Sequence, residues 1–253
     1  MRPSPLLCVR VLALVTLLLP RLAAADTLRL SGAATVAHGI IVPHRAAIEQ
    51  ASGLTLQVMA NDESNGLKDL YAGRSDVAMV AAPIDSTERI INAAAPGSIS
   101  TAGFQVAVIG SAQIKFVVNP ANPVKALTSA QLKAIFTGAI TNWKDLGGAD
   151  QPIVVATGPV GMAARTNVVD GLLNGAEIVA SAREIEGLNQ IVRVVAEDPA
   201  AIGYGNAASI TPGVSVIEGT EINETLGLAT NGPPSPAVRK LIQAVMPFGA
   251  AMK

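Results

Sequence analysis

Along the chain, short apolar and β-branched runs alternate with segments whose apolar residues recur every three to four positions, the pattern of an α/β protein built on open sheets. Residues 27–30 read as a first strand, and Ser31-Gly32-Ala33-Ala34-Thr35 as the turn into a helix. That helix must start or bend near Val42, because Pro43 tolerates only a first turn or a kink. Residues 54–59 alternate as a strand should. Ser64 then caps a helix running from Asn65 towards Ala72, which Gly73 closes. Residues 77–80 form the next strand, and Asp85-Ser86-Thr87-Glu88 opens a helix through Ile90 and Ile91 with its acids at the positive end of the dipole.

Further on, residues 104–109 and 114–118 read as two strands, followed by the loop Asn119-Pro120-Ala121-Asn122-Pro123. Thr128 and Gln131 have capping-box spacing, so a short helix is predicted through Leu132, Ile135 and Phe136, ending at Gly138. A buried strand at 153–156 leads to a helix over about 161–173. An amphipathic helix at 185–196 stops at Asp198-Pro199, a strand follows at 201–204, and 214–217 is the last strand candidate. Ser235-Pro236 starts a final helix with Val238, Leu241, Ile242 and Val245 on one face.

The amino terminus has a different character. Arg2 and Arg10 precede an apolar stretch from 11 to 19, a break at Pro20, and small residues at Ala23 and Ala25. This is the pattern of a secretory signal peptide over residues 1–25, cleaved before Asp26, and its apolar stretch is too short to span a bilayer. The protein is therefore expected in the periplasm or secreted. The single cysteine, Cys8, falls inside the leader, which leaves the mature chain without disulfides, thiolate metal sites or a cysteine nucleophile. Removing the leader takes away three arginines and leaves 15 basic against 19 acidic residues, a balance that attracts neither nucleic acid nor anionic lipid. His38 and His44 lie six apart, a spacing that suits no helical metal site, and are expected at the surface. No cofactor or metal is expected. The chain carries no nucleophile setting and no Walker motif, so an enzyme is not expected.

The stretch from Asn119 to Pro123, then Leu127-Thr128, Gln131-Leu132, Ala134-Ile135-Phe136-Thr137-Gly138 and Ile140-Thr141-Asn142-Trp143 resembles the phosphate-specific periplasmic binding proteins, the solute-binding components of ABC transporters. Gly66-Leu67-Lys68, Asp76-Val77-Ala78, Ala201-Ile202-Gly203-Tyr204 and Pro234-Ser235-Pro236-Ala237-Val238 extend the resemblance over nearly the whole mature chain. It implies a type II periplasmic binding protein fold. Two α/β lobes, each a mixed sheet flanked by helices, would be joined by two crossover strands near residues 105–113 and 203–208. Lobe one would be 26–104 plus 209–253, and lobe two 105–208. The implied partners are a small-molecule ligand, phosphate or another oxyanion, and an ABC permease; the protein would be a monomer that is not embedded in the membrane.

A dehydrated oxyanion needs converging hydroxyls and backbone N–H groups, best supplied at helix N-termini. By resemblance three loops would supply them: Ser31, Gly32, Ala33, Ala34 and Thr35; then Ser64, Asn65 and Gly66; then Thr157, Ala164 and Arg165. Several family contacts are replaced. Thr157 stands at the family's arginine, Met162-Ala163-Ala164 at its serine-glycine-threonine turn, and Ala81-Ala82 where a serine and a charged residue precede the proline. Asp62 and Glu63 add two carboxylates close to the proposed cleft, where their charge opposes a phosphate and would select a cationic or neutral ligand; the plainer reading is that acids at a helix start answer the dipole. Arg165 has a plain alternative as a surface residue or a partner of Asp170. Trp143, Phe136, Met59 and Met79 are expected in the core. The site therefore reads as a degenerate anion site, with an alternative in which the fold has lost phosphate binding and serves as an interaction or sensory partner.

Overall fold

The computed structural model describes residues 26–249, so the leader and its cleavage point lie outside the described residues. The strands are β1 (Thr27–Ala33), β2 (Thr55–Asn61), β3 (Val77–Val80), β4 (Phe104–Val118), β5 (Val154–Thr157), β6 (Arg183–Glu184), β7 (Ala201–Gly205) and β8 (Ser215–Asn231). They join in one mixed sheet of order β2-β1-β3-β8-β4-β7-β5-β6. The helices are α1 (Ala34–Val36), α2 (Arg45–Ser52), α3 (Glu63–Tyr71), α4 (Ile84–Ala94), α5 (Ser129–Phe136), α6 (Ala163–Gly171), α7 (Leu188–Glu197) and α8 (Pro236–Gly249).

The sheet resolves into two lobes because two of its strands are very long. In the first lobe β1 pairs in parallel with β2 and β3, and in the second β5 pairs in parallel with β6 and β7. Strands β4 and β8 run antiparallel to each other through both lobes. At one end β8 pairs with β3 through residues 227–229; at the other β4 pairs with β7 through residues 115–118. This is the two-lobed periplasmic binding protein fold expected from the sequence.

The connections differ in detail from that expectation. Residues 104–118 are one strand and not two: the interruption at Gly110 is a register shift against β8. Its glycine is needed for space, since a Cβ there would lie 2.5 Å from the Gly249 carbonyl oxygen. The second crossing is β8, whereas residues 203–205 belong to β7 inside the second lobe. Gly203 and Gly205 there make room for Ile191, Val192 and Val195 of α7. Val214, Ile217 and Ile222 accordingly pack in the second lobe's core, and the passage back to the first lobe falls within β8.

Each lobe has its own core. In the second, Phe116, Phe136 and Tyr204 meet with ring centroids 5.5 to 6.4 Å apart, and the buried Trp143 donates its indole N–H to the Ala200 carbonyl at 2.8 Å. In the first, Leu30, Ile40, Leu56 and Met79 pack with Leu226, Leu228, Leu241 and Val245, so the two chain ends build one core. Met59, expected inside, is 61% exposed because β2 is the sheet's edge strand and turns this side chain outward. Helix α1 continues through a widened turn at Ala37–Ile41, stops at Pro43 and restarts at Arg45, which is the bend predicted from the proline. His38 is exposed, and His44 stacks on Phe248 at 4.2 Å. Among the described residues no helix is long and apolar enough to cross a membrane.

Candidate functional site

The three loops named from the sequence come together where the lobes meet. Strand β1 ends at Ser31-Gly32-Ala33, and the first turn of α3 lies directly on it: a Cβ at Gly66 would sit 2.5 Å from the Gly32 Cα. The third loop, between β5 and α6, crosses from the second lobe, where a Cβ at Gly161 would sit 2.7 Å from Ser64 Oγ. Ala163, at the start of α6, packs into the first lobe's core. Asn167 of α6 donates to the Ala81 carbonyl at the end of β3 at 2.7 Å, and Arg89 of α4 reaches Asp170 of α6 at 3.9 Å. The lobes are closed on one another.

Most polar groups in these loops are bound to the protein itself. Ser31 donates its hydroxyl to Asp69 at 2.7 Å. Asp62, not Ser64, caps α3: it accepts from the Asn65 backbone N–H at 2.7 Å and from the Asn65 side chain at 2.6 Å. Ser64 is left with a buried hydroxyl and no partner. Thr157 and the Gly158 N–H both bond the Tyr204 hydroxyl, at 2.8 and 2.9 Å. Arg165 is held by the Gly158 carbonyl at 3.0 Å and by Glu184 at 2.5 Å, while Asp170, its expected alternative, faces Arg89 instead. Ala33 and Ala164 are buried, Ala34 is exposed and Thr35 is half-buried at the start of α1. A cavity of about 350 Å³ lined by Leu28, Tyr71, Ser75, Asn231 and Ser235 lies elsewhere in the first lobe and contains no residue of the three loops.

Glu63 does something other than answer the helix dipole. It is fully buried, and its carboxyl accepts the Ala81 N–H at 2.6 Å, the Ala82 N–H at 2.9 Å and the Thr87 hydroxyl at 2.9 Å. Two backbone N–H groups and a hydroxyl at the start of a helix are the donor set expected for an oxyanion, and here the protein's own carboxyl fills it. Burial pushes this carboxyl up to about 7, against the pull of the Ala81, Thr87 and Ala82 donors, with Asp62 adding to the rise.

Glu224 was not found from the sequence. It sits in the middle of β8, opposite Ala112 of β4, and is fully buried. One carboxyl oxygen accepts from Asn167 at 3.3 Å; the other has no partner. Burial pushes it to about 7 as well, with the Asn167 bond opposing and Glu63 adding to the rise. The signal that was available is the alternation Ile222, Glu224, Leu226, Leu228, which puts the acid on the strand's inward face.

Residues 21–217 match the family model of the PBP superfamily domain. The phosphate-binding protein PstS of Bacillus subtilis is 31% identical over 181 residues, which is 72% of this chain and 57% of that protein. The chain thus spans little more than half the length of that relative. A phosphate-bound substrate-binding protein of the phosphate ABC transporter type from Clostridium perfringens shares the fold with a TM-score of 0.75 at 23% identity, covering 87% of this chain and 93% of that one. An ABC-type phosphate transport receptor from Vibrio cholerae does so with a TM-score of 0.68 at 20% identity, covering 89% and 100%. The structural likenesses speak for architecture, and the family match runs from the first lobe through the second and into β8: the chain belongs to the PBP superfamily.

Proposed function

We propose that the protein is an extracytoplasmic solute-binding component of the kind that serves an ABC importer, with a degenerate oxyanion site that does not hold free phosphate at neutral pH. The observation that carries this reading is Glu63, whose carboxyl occupies the Ala81 and Ala82 N–H groups and the Thr87 hydroxyl. A phosphate would have to displace it and then lie beside a second buried acid. The replacements at Thr157, Ala81-Ala82 and Met162-Ala163-Ala164 act in the same direction. Each lost charged hydrogen bond costs about 1.5 to 3 kcal/mol, so three together weaken binding by about 10³- to 10⁶-fold. The protein acts as a monomeric binder and not as an enzyme, with a small solute and an ABC permease as partners and no nucleic acid.

A second reading, in which the fold has lost its ligand and serves as an interaction or sensory partner, is favoured by the close approach of Gly161 to Ser64 across the seam. Calorimetric titration of the chain from Asp26 onward with phosphate, and thermal shift with sulfate, phosphonates and carboxylates, separates the readings. The expected result is no phosphate binding tighter than about 1 mM together with a shift from another small solute. Micromolar phosphate binding refutes the degenerate site; silence with every solute favours the interaction partner.

A further inference from the structure

Glu63 and Glu224 share a feature that ligand choice does not explain. Both carboxyls are fully buried where the lobes meet, and neither takes part in an ion pair among the described residues. Charge buried without a counter-charge is expensive, and two carboxylates in one site cannot both ionise cheaply.

The ionisable groups on the surrounding elements do not supply the missing charge. Beside Glu63 is Asp62, another acid, at the cap of α3. Further along α3, Asp69 is held by Arg74 and Ser31, and on α4 Glu88 is held by Thr101. Lys68 and Asp85 form no ion pair with either carboxyl among the described residues. On α6, Arg165 is engaged by Glu184 and the Gly158 carbonyl, and Asp170 faces Arg89 of α4. On β7, the Tyr204 hydroxyl is tied to Thr157 and Gly158. Strand β3 carries no charged residue, and the β4 residues paired around Glu224, from Ser111 to Gln113, carry none either.

We propose that Glu63 and Glu224 form a proton-binding latch: the lobes close with at least one proton held on the two carboxyls, and open as that proton is lost. The geometry makes closure and protonation one event. Asn167, on the second lobe, bridges the Ala81 carbonyl of the first lobe and the Glu224 carboxyl. Ala81 also provides an N–H to Glu63. Parting the lobes breaks the bridge and lets water reach both acids, which then ionise as ordinary glutamates. The sign follows from the carboxyls being raised in the closed form. Closure is strongest below the ordinary value of 4.5 and is lost as pH rises to about 7. Across that window the closed-to-open ratio falls about tenfold per pH unit for each carboxyl involved. The latch goes beyond the reading of the ligand site and holds whether or not any anion binds there.

The test is small-angle X-ray scattering on the protein expressed from its full-length sequence, at pH 5 and pH 8.5, beside the Glu224→Gln variant, whose amide keeps the shape and the Asn167 contact but cannot ionise. The expected result is a larger radius of gyration for the wild type at pH 8.5 and an unchanged one for the variant. An unchanged wild-type radius, or a variant that opens as the wild type does, overturns the latch. If the variant does not fold, carboxyl NMR of the wild type decides. Glutamate signals titrating near 7 support it, and the absence of any above the ordinary range overturns it.

Discussion

The Tyr204 hydroxyl is the point at which the third loop is tied to the second lobe, and Tyr204→Phe removes it without changing the ring. The ring stays packed against Phe116 and Phe136, so no cavity opens. What is lost is one oxygen that bonds both the Gly158 N–H at 2.9 Å and Thr157 Oγ at 2.8 Å. Thr157 retains a longer contact to the Gly158 carbonyl at 3.4 Å, but the Gly158 N–H is left buried with no acceptor. Leaving one buried donor unsatisfied costs about 1 to 3 kcal/mol. For a domain of this size 1 kcal/mol moves the thermal midpoint by about 2 to 4 °C, so a fall of about 2 to 12 °C is expected from scanning calorimetry. A double-mutant cycle with Thr157→Val sharpens the test. The two residues share one bond, so the double variant is expected to be less destabilised than the separate effects together. A fall below about 1 °C for Tyr204→Phe would refute the reasoning, because it would mean that water already satisfies Gly158.

Two further expectations rest on local geometry. Gly66→Ala places a methyl 2.5 Å from the Gly32 Cα and 2.9 Å from the Ser31 carbonyl oxygen, and both neighbours are backbone that cannot swing aside. A loss of about 1 to 3 kcal/mol is expected from urea unfolding, and a neutral result would show that α3 can slide along β1. Thr128→Ala removes the hydroxyl of an intact capping box at α5, for which about 1 kcal/mol is expected in the same assay.

Much of this architecture could be read from local chemistry. The capping box at Thr128 and Gln131, the proline start of α8 and the bend at Pro43 each depend on a few neighbouring residues, and each appears where the residues place it. The long strands were harder. Gly110 looks like a turn residue until α8 is known to press against it, and β8 carries so many polar residues that only its apolar beginning was legible. The site divides in the same way. The three loops could be located by resemblance, but which hydroxyls remain free depends on partners distant in sequence, such as Asp69 for Ser31 and Tyr204 for Thr157. In the sequence Glu63 reads as a dipole partner because its true partners, Ala81, Ala82 and Thr87, are about 20 residues away.

The pairing of β3 with β8 bears on how the chain is made. A ribosome delivers β1, β2 and β3 early, but the strand that covers the open side of β3 arrives only with residues 227–229, and the core beneath waits for Leu241 and Val245 of α8. Until then β3 has an unpaired edge and the first lobe has apolar surface without its cover, so this lobe cannot finish before β8 and α8 have been made. The order of the sequence thus makes β8 and α8 the release for folding of the first lobe, although its first three strands are delivered long before them.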